Sequence, residues 1–98
     1  MMYDLSCRYD SRISFYGKAK VKYEEEEQDL MLYKEWELYS YNTLVARATR
    51  NCETCLTTYE YLGKYSQTTT RHQKEFFKQL GLNDDEIKQL FKEGILCI

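Results

Sequence analysis

The sequence predicts an α+β fold: a small antiparallel sheet of three to five strands with a C-terminal two-helix hairpin. Three observations carry this. Apolar and polar residues alternate over two stretches of the first forty residues, the period of a half-buried strand. After Gly63 the spacing lengthens to the helical period. Around Asn83 stands a complete helix-start signature. A length of 98 residues fits one domain, 1–98, with the sheet over about 12–62 and the helices over about 68–80 and 84–93.

The first strand is read from Ile13, Phe15, Ala19, Val21 and Tyr23, with Lys18, Lys20 and Lys22 between them on a wet face. Gly17 inside it marks an expected bulge. Glu24, Glu25, Glu26 and Glu27 follow, and four adjacent carboxylates read as a solvated turn. Leu30, Leu32, Trp36 and Leu38 give a second strand of the same parity, although Glu-Lys-Trp-Glu can also wind into a helix. Tyr39 to Ala48 is rich in β-formers and reads as a third strand beside a turn at Ser40 to Asn42. Leu56 to Leu62 reads as a fourth, reached through a short polar hairpin connector that carries Cys52 and Cys55.

Phe76, Phe77 and Leu80, with Gln73 on the same side, form a helical stripe. Thr68 or Thr69 caps its start and Gly81 stops it. The second helix begins at Asn83, with Glu86 as the capping-box partner and Leu82 placed to staple onto Ile87. Asp84, Asp85 and Glu86 put negative charge at the positive helix end, and Gly94 ends it. The tail Ile95-Leu96-Cys97-Ile98 is apolar enough to dock on the sheet.

Net charge is −2, and neither half of the chain is basic. That argues against a nucleic-acid grip built on bulk charge. No apolar run reaches the length of a membrane span, and the first residues lack the order of a signal peptide, so a cytoplasmic protein, staying in the cytosol where it is made, is expected. Ten tyrosines suit sheets and protein interfaces.

Two groups of residues bear on chemistry. Cys52-x-x-Cys55 on a tight turn can turn two thiolates towards one ion. Cys7 and Cys97 would complete a four-sulfur structural zinc site, with His72 as a substitute ligand. Ordinary free cysteines are the other reading. Thr68, Thr69, Thr70 and Arg71 open the first helix and could hold an anion, against the plainer reading as caps. His72 has no nucleophile or acid placed beside it by the sequence, so no catalytic residue is assigned and no enzyme is expected. The helix that opens Asp84-Asp85-Glu86 would repel phosphates, so the helical hairpin reads as structural rather than as a DNA reader.

Ser40-Tyr41-Asn42-Thr43, and then Tyr65-Ser66-Gln67-Thr68-Thr69 with Phe76, Phe77, Leu80 and Gly81 after it, resemble a family of small uncharacterised domains. These domains are encoded by phages and mobile elements of Gram-positive bacteria. The likeness covers about residues 38–82 and implies a compact α+β fold without an assigned activity. The four cysteines lie outside the pattern. In size, charge and cysteine set the chain more loosely resembles type II anti-CRISPR proteins.

That likeness implies a stoichiometric inhibitor. It would bind a host protein, a type II CRISPR effector nuclease or its guide complex, through Glu24 to Glu27 and exposed tyrosines such as Tyr39 and Tyr41. No strong direct contact with nucleic acid is expected of such a protein. Two alternatives stand beside it: a small phage or plasmid regulator gripping nucleic acid through Lys18, Lys20, Lys22 and Arg71, and an accessory structural domain.

Overall fold

The computed structural model describes residues 1–98. In chain order the elements are β1 (Met2–Asp4), β2 (Ala19–Gln28), β3 (Met31–Ser40), β4 (Thr43–Asn51), β5 (Thr57–Tyr61), α1 (Gln67–Gln79), α2 (Asp84–Glu93) and β6 (Ile95–Cys97). The strands form one six-stranded antiparallel sheet whose spatial order follows the sequence. The α+β class is as expected, but six strands exceed the expected three to five. The two added strands, β1 and β6, have three residues each, too few to show a period. β6 is the apolar tail, and it docks as expected, on β5.

Both helices lie on one face of the sheet, α1 against β3 and β4, α2 against β5 and β6. Between the layers are Val21, Leu38, Val45, Ala46 and Ala48 from the strands and Phe76, Phe77, Ile87 and Leu90 from the helices, all buried. Because side chains alternate along a strand, the intervening residues of each strand point to the other face, which carries no helix.

β2 begins later and ends later than expected. Ile13 is 94% exposed, whereas Phe15 is buried. Tyr16 and Gly17 both take positive φ, 53° and 72°, in a turn closed by the Lys18 amide on the Phe15 carbonyl at 3.0 Å. Gly17 therefore turns the chain into the strand and bulges nothing. Glu24 to Glu27 do not form the expected turn: they continue β2 and pair with Glu35, Lys34, Tyr33 and Leu32 of β3. The pleat divides the four carboxylates between two faces, and one of them meets a lysine across the strand, which relieves the repulsion of a compact turn. The turn itself is Asp29-Leu30, with φ of 52° and 66°.

The bulge falls elsewhere. The β3–β4 register shifts between Leu38 and Tyr39, leaving Val45 as the extra residue. Its carbonyl accepts from the Leu62 amide at 3.1 Å and from Gln73 Nε2 at 3.0 Å. Gln73 Nε2 also reaches the Gly63 carbonyl, at 3.0 Å, so this wholly buried side chain ties α1 to the sheet.

The N-cap of α1 is Ser66, not Thr68 or Thr69; its Oγ accepts from the Thr69 amide at 3.2 Å. Gly81, with φ of 102°, follows its end. In α2 both halves of the capping box are made. Asn83 Oδ1 accepts from the Glu86 amide at 2.8 Å and Glu86 Oε1 from the Asn83 amide at 2.9 Å. Leu82 and Ile87 are both buried in the core. No helix is long and apolar enough to cross a membrane.

Candidate functional site

The four thiols are free and sit on three parts of the fold. Cys7 follows β1 and packs against the core. Cys52 and Cys55 share the β4–β5 turn, where Asn51 Oδ1 accepts from the Glu53 amide at 2.9 Å. Cys97 lies on β6 opposite Thr58, on the helix-free face. Nowhere do three or more His, Cys, Asp or Glu side chains gather as metal ligands would. No three of Cys7, Cys52, Cys55, Cys97 and His72 come together in that way.

His72 is instead part of a buried polar chain. Its Nδ1 lies 2.8 Å from Ser40 Oγ, and Ser40 Oγ lies 2.9 Å from Thr69 Oγ1. Ser66 Oγ reaches Thr69 Oγ1 at 3.3 Å. The Phe15 ring stands edge-on to the imidazole at 4.6 Å. Burial lowers the histidine pKa, with Asp10 opposing and Arg12 adding to the shift. Ser40 and His72 are 2% and 1% exposed, so this serine–histidine contact is sealed from any substrate. Two of the hydroxyls expected to meet an anion are also engaged, that of Thr69 in this polar chain and that of Thr70, whose Oγ1 donates to the Ser66 carbonyl at 3.1 Å. Arg71 pairs with Asp10 at 3.1 Å.

A second buried group went unread in the sequence. Glu75, 2% exposed, accepts through Oε1 from three successive backbone amides: Arg8 at 3.2 Å, Tyr9 at 2.8 Å and Asp10 at 2.8 Å. Gln79 Nε2 donates to the other oxygen at 2.6 Å and to the Ser6 carbonyl at 2.7 Å. One carboxylate thus fastens the loop between β1 and β2 to α1. The available signal was its position, next to Phe76 on the stripe that faces the core.

The helix-free face holds the charge. By strand parity it presents Asp4, Glu24, Glu26, Glu35, Glu37 and Glu60 against Lys20, Lys22 and Arg47, six carboxylates to three cations. Arg47 sits at the centre, 3.2 Å from Glu60, 3.4 Å from Glu37 and 4.0 Å from Glu35. Burial raises the Glu35 pKa, and the neighbouring Glu37 raises it further against the pull of Arg47. Lys20 and Lys22 are paired with Asp4 and Glu24, at 2.8 Å and 3.3 Å.

The residues expected to bind a partner are only partly assembled. Glu24, Glu26 and Tyr39 share the helix-free face; Glu25 and Glu27 point to the other. Glu25 accepts from the Tyr23 hydroxyl at 2.6 Å, a bond that pushes the Tyr23 pKa up to about 12. Tyr41 stands in the β3–β4 turn, at the opposite end of β3 from the glutamates. Lys20 and Lys22 lie on the helix-free face, whereas Arg71 belongs to α1 in the helix layer.

The chain belongs to a family of unknown function (DUF8033), whose profile matches residues 3–94. No curated protein and no solved structure matches it.

Proposed function

On the premise of that family membership, which assigns no activity, we propose that the protein is a binding protein. It docks the helix-free face of its sheet onto a basic macromolecular surface. The observation that carries this reading is the charge of that face, where six carboxylates stand against three cations and Glu35, Glu37 and Glu60 surround Arg47 at its centre. A sheet face without helices is flat and large, which suits a protein partner better than a small substrate. Its sign repels nucleic acid and complements a protein surface built to hold nucleic acid.

The partner class proposed is a host defence nuclease, and specifically a type II CRISPR effector with its guide RNA. The resemblance of the sequence to phage-encoded domains and the positive channel of such nucleases support this choice. The protein would act stoichiometrically, by covering the channel and blocking DNA loading or cleavage. The test is to titrate the protein into a guide-loaded nuclease and follow DNA cleavage. Cleavage is expected to stop near equal molar amounts, and Glu24→Lys with Glu37→Lys to relieve the block. Unimpeded cleavage at large excess would remove this partner.

A further inference from the structure

Leu30 combines two unfavourable features at the tip of the β2–β3 hairpin. It is 89% exposed, and its φ is 66°. That left-handed conformation suits glycine or asparagine in a two-residue hairpin turn and disfavours a branched side chain. Folding gains nothing visible from a leucine there, and strain of this kind points to use by a partner. Met31 and Leu32 beside it are also exposed, at 38% and 41%. Asp29 in the turn and Glu27, paired across the hairpin with Leu32, give the tip a negative rim, and Glu25, opposite Lys34, stands two pairs further back.

The opposite layer of the molecule carries the complement. A groove of about 420 Å³ runs between α1 and α2, lined by Lys74, Lys78, Lys88, Ile87, Phe91 and Asp84. Lys74 and Lys88 are exposed, while Lys78 is already held by Asp84 at 3.3 Å. The apolar wall and lysine rim match an apolar tip with an acidic rim. No residue of the hairpin tip lines the groove, so within one chain the two stand apart.

We propose that this groove receives the Leu30 hairpin of a second copy of the chain, giving head-to-tail self-association. The contact is heterologous: each copy offers a tip to one neighbour and a groove to the other. It is independent of the nuclease reading and is tested without any nuclease.

Sedimentation of the pure protein over a range of concentrations at low salt should show mass rising above the monomer, and salt should reverse it. Leu30→Gly should weaken association by about tenfold or more, as loss of an interface anchor does. The same variant should melt at a higher temperature, because the turn is relieved. A merely structural leucine would not give that split. Two charge variants complete the test: Lys74→Glu with Lys88→Glu, and Glu25→Lys with Glu27→Lys. Each should be monomeric alone, because its tip and groove then carry like charge, and the two mixed should associate again, because each tip meets a groove of opposite charge. A wild-type monomer at the highest concentration and lowest salt would overturn the proposal. So would charge variants that fail to pair when mixed, which is the result expected if the tip serves only a different protein.

Discussion

Ser40, the last residue of β3, and His72, in the middle of α1, are joined by a 2.8 Å hydrogen bond inside the core. Both lie within the span that the family profile matches, and the fold makes β3 and α1 meet there. The bond fixes α1 over the sheet together with Gln73 on the Val45 carbonyl.

Replacing His72 by alanine should cost about 2–4 kcal/mol, because it opens a cavity and leaves the Ser40 hydroxyl short of a partner. Asparagine, whose amide can take the place of Nδ1, should recover part of that loss. Denaturant melts of the two variants check the difference. Equal losses would mean that packing against Phe15 matters and the hydrogen bond does not.

The same histidine sets a pH limit. Burial lowers its folded pKa, so below the ordinary histidine value of about 6.5 the unfolded chain binds the extra proton first. Stability from this group is therefore whole above that pH and falls as the pH drops towards the folded pKa. A pH series of melts should show the fall in the wild type. In His72→Asn that part of the slope should be absent.

Glu75→Ala removes the one acceptor shared by the amides of Arg8, Tyr9 and Asp10. The loop between β1 and β2 should then open to water at a cost of about 2 kcal/mol. Amide exchange at residues 8–10 should speed up well beyond any change in the strands. Glu75→Gln keeps a carbonyl for the three amides but sets two amide groups against each other at Gln79, so it should fall between.

How far the sequence foretold this fold depended on the range of the forces involved. The capping box at Asn83 and the stripe Phe76-Phe77 are local, and both stand as expected. β2 was misplaced because its ends are set by β3: the run Glu24 to Glu27 is held extended by Glu35, Lys34, Tyr33 and Leu32 across the hairpin. The spacing of Cys52 and Cys55 and the count of four thiols invited a shared metal, and nothing local could show that Cys7 and Cys97 stand on other elements. The cluster around Arg47 follows from a register in which Glu37 and Glu60 flank it on neighbouring strands, which one strand at a time cannot reveal.

The cysteines should react in an order set by exposure and charge. Cys55 and Cys97 are exposed and should react first with an aromatic disulfide reagent. Burial raises the Cys7 pKa, and Asp10 and Glu75 raise it further, so it should be the slowest of the four. Added zinc should leave the rates at Cys7 and Cys97 unchanged, since they stand apart from the turn that carries Cys52 and Cys55. Mass spectrometry of peptides after timed quenching reads all four rates, and joint protection of the four by zinc would contradict their placement here.

Glu35 should be a site where removing charge helps the fold. Its carboxyl is held above the ordinary range by burial and by Glu37, and its side chain is 37% exposed. A raised carboxyl pKa means that the folded protein binds the proton more tightly than the unfolded chain. Stability from this group is thus present below the ordinary glutamate value of about 4.3 and is lost as pH rises through the folded pKa. Glu35→Gln avoids that loss, and the 4.0 Å contact with Arg47 is too long to offset it. Solvent screening keeps the gain below about 1 kcal/mol, a rise of a few degrees in Tm at neutral pH for a domain of this size. The gain should shrink in high salt and vanish in acid. Glu60→Gln, which breaks the shorter 3.2 Å contact to Arg47, should show no such gain, and a higher Tm for both variants would mean that Arg47 does not organise the face.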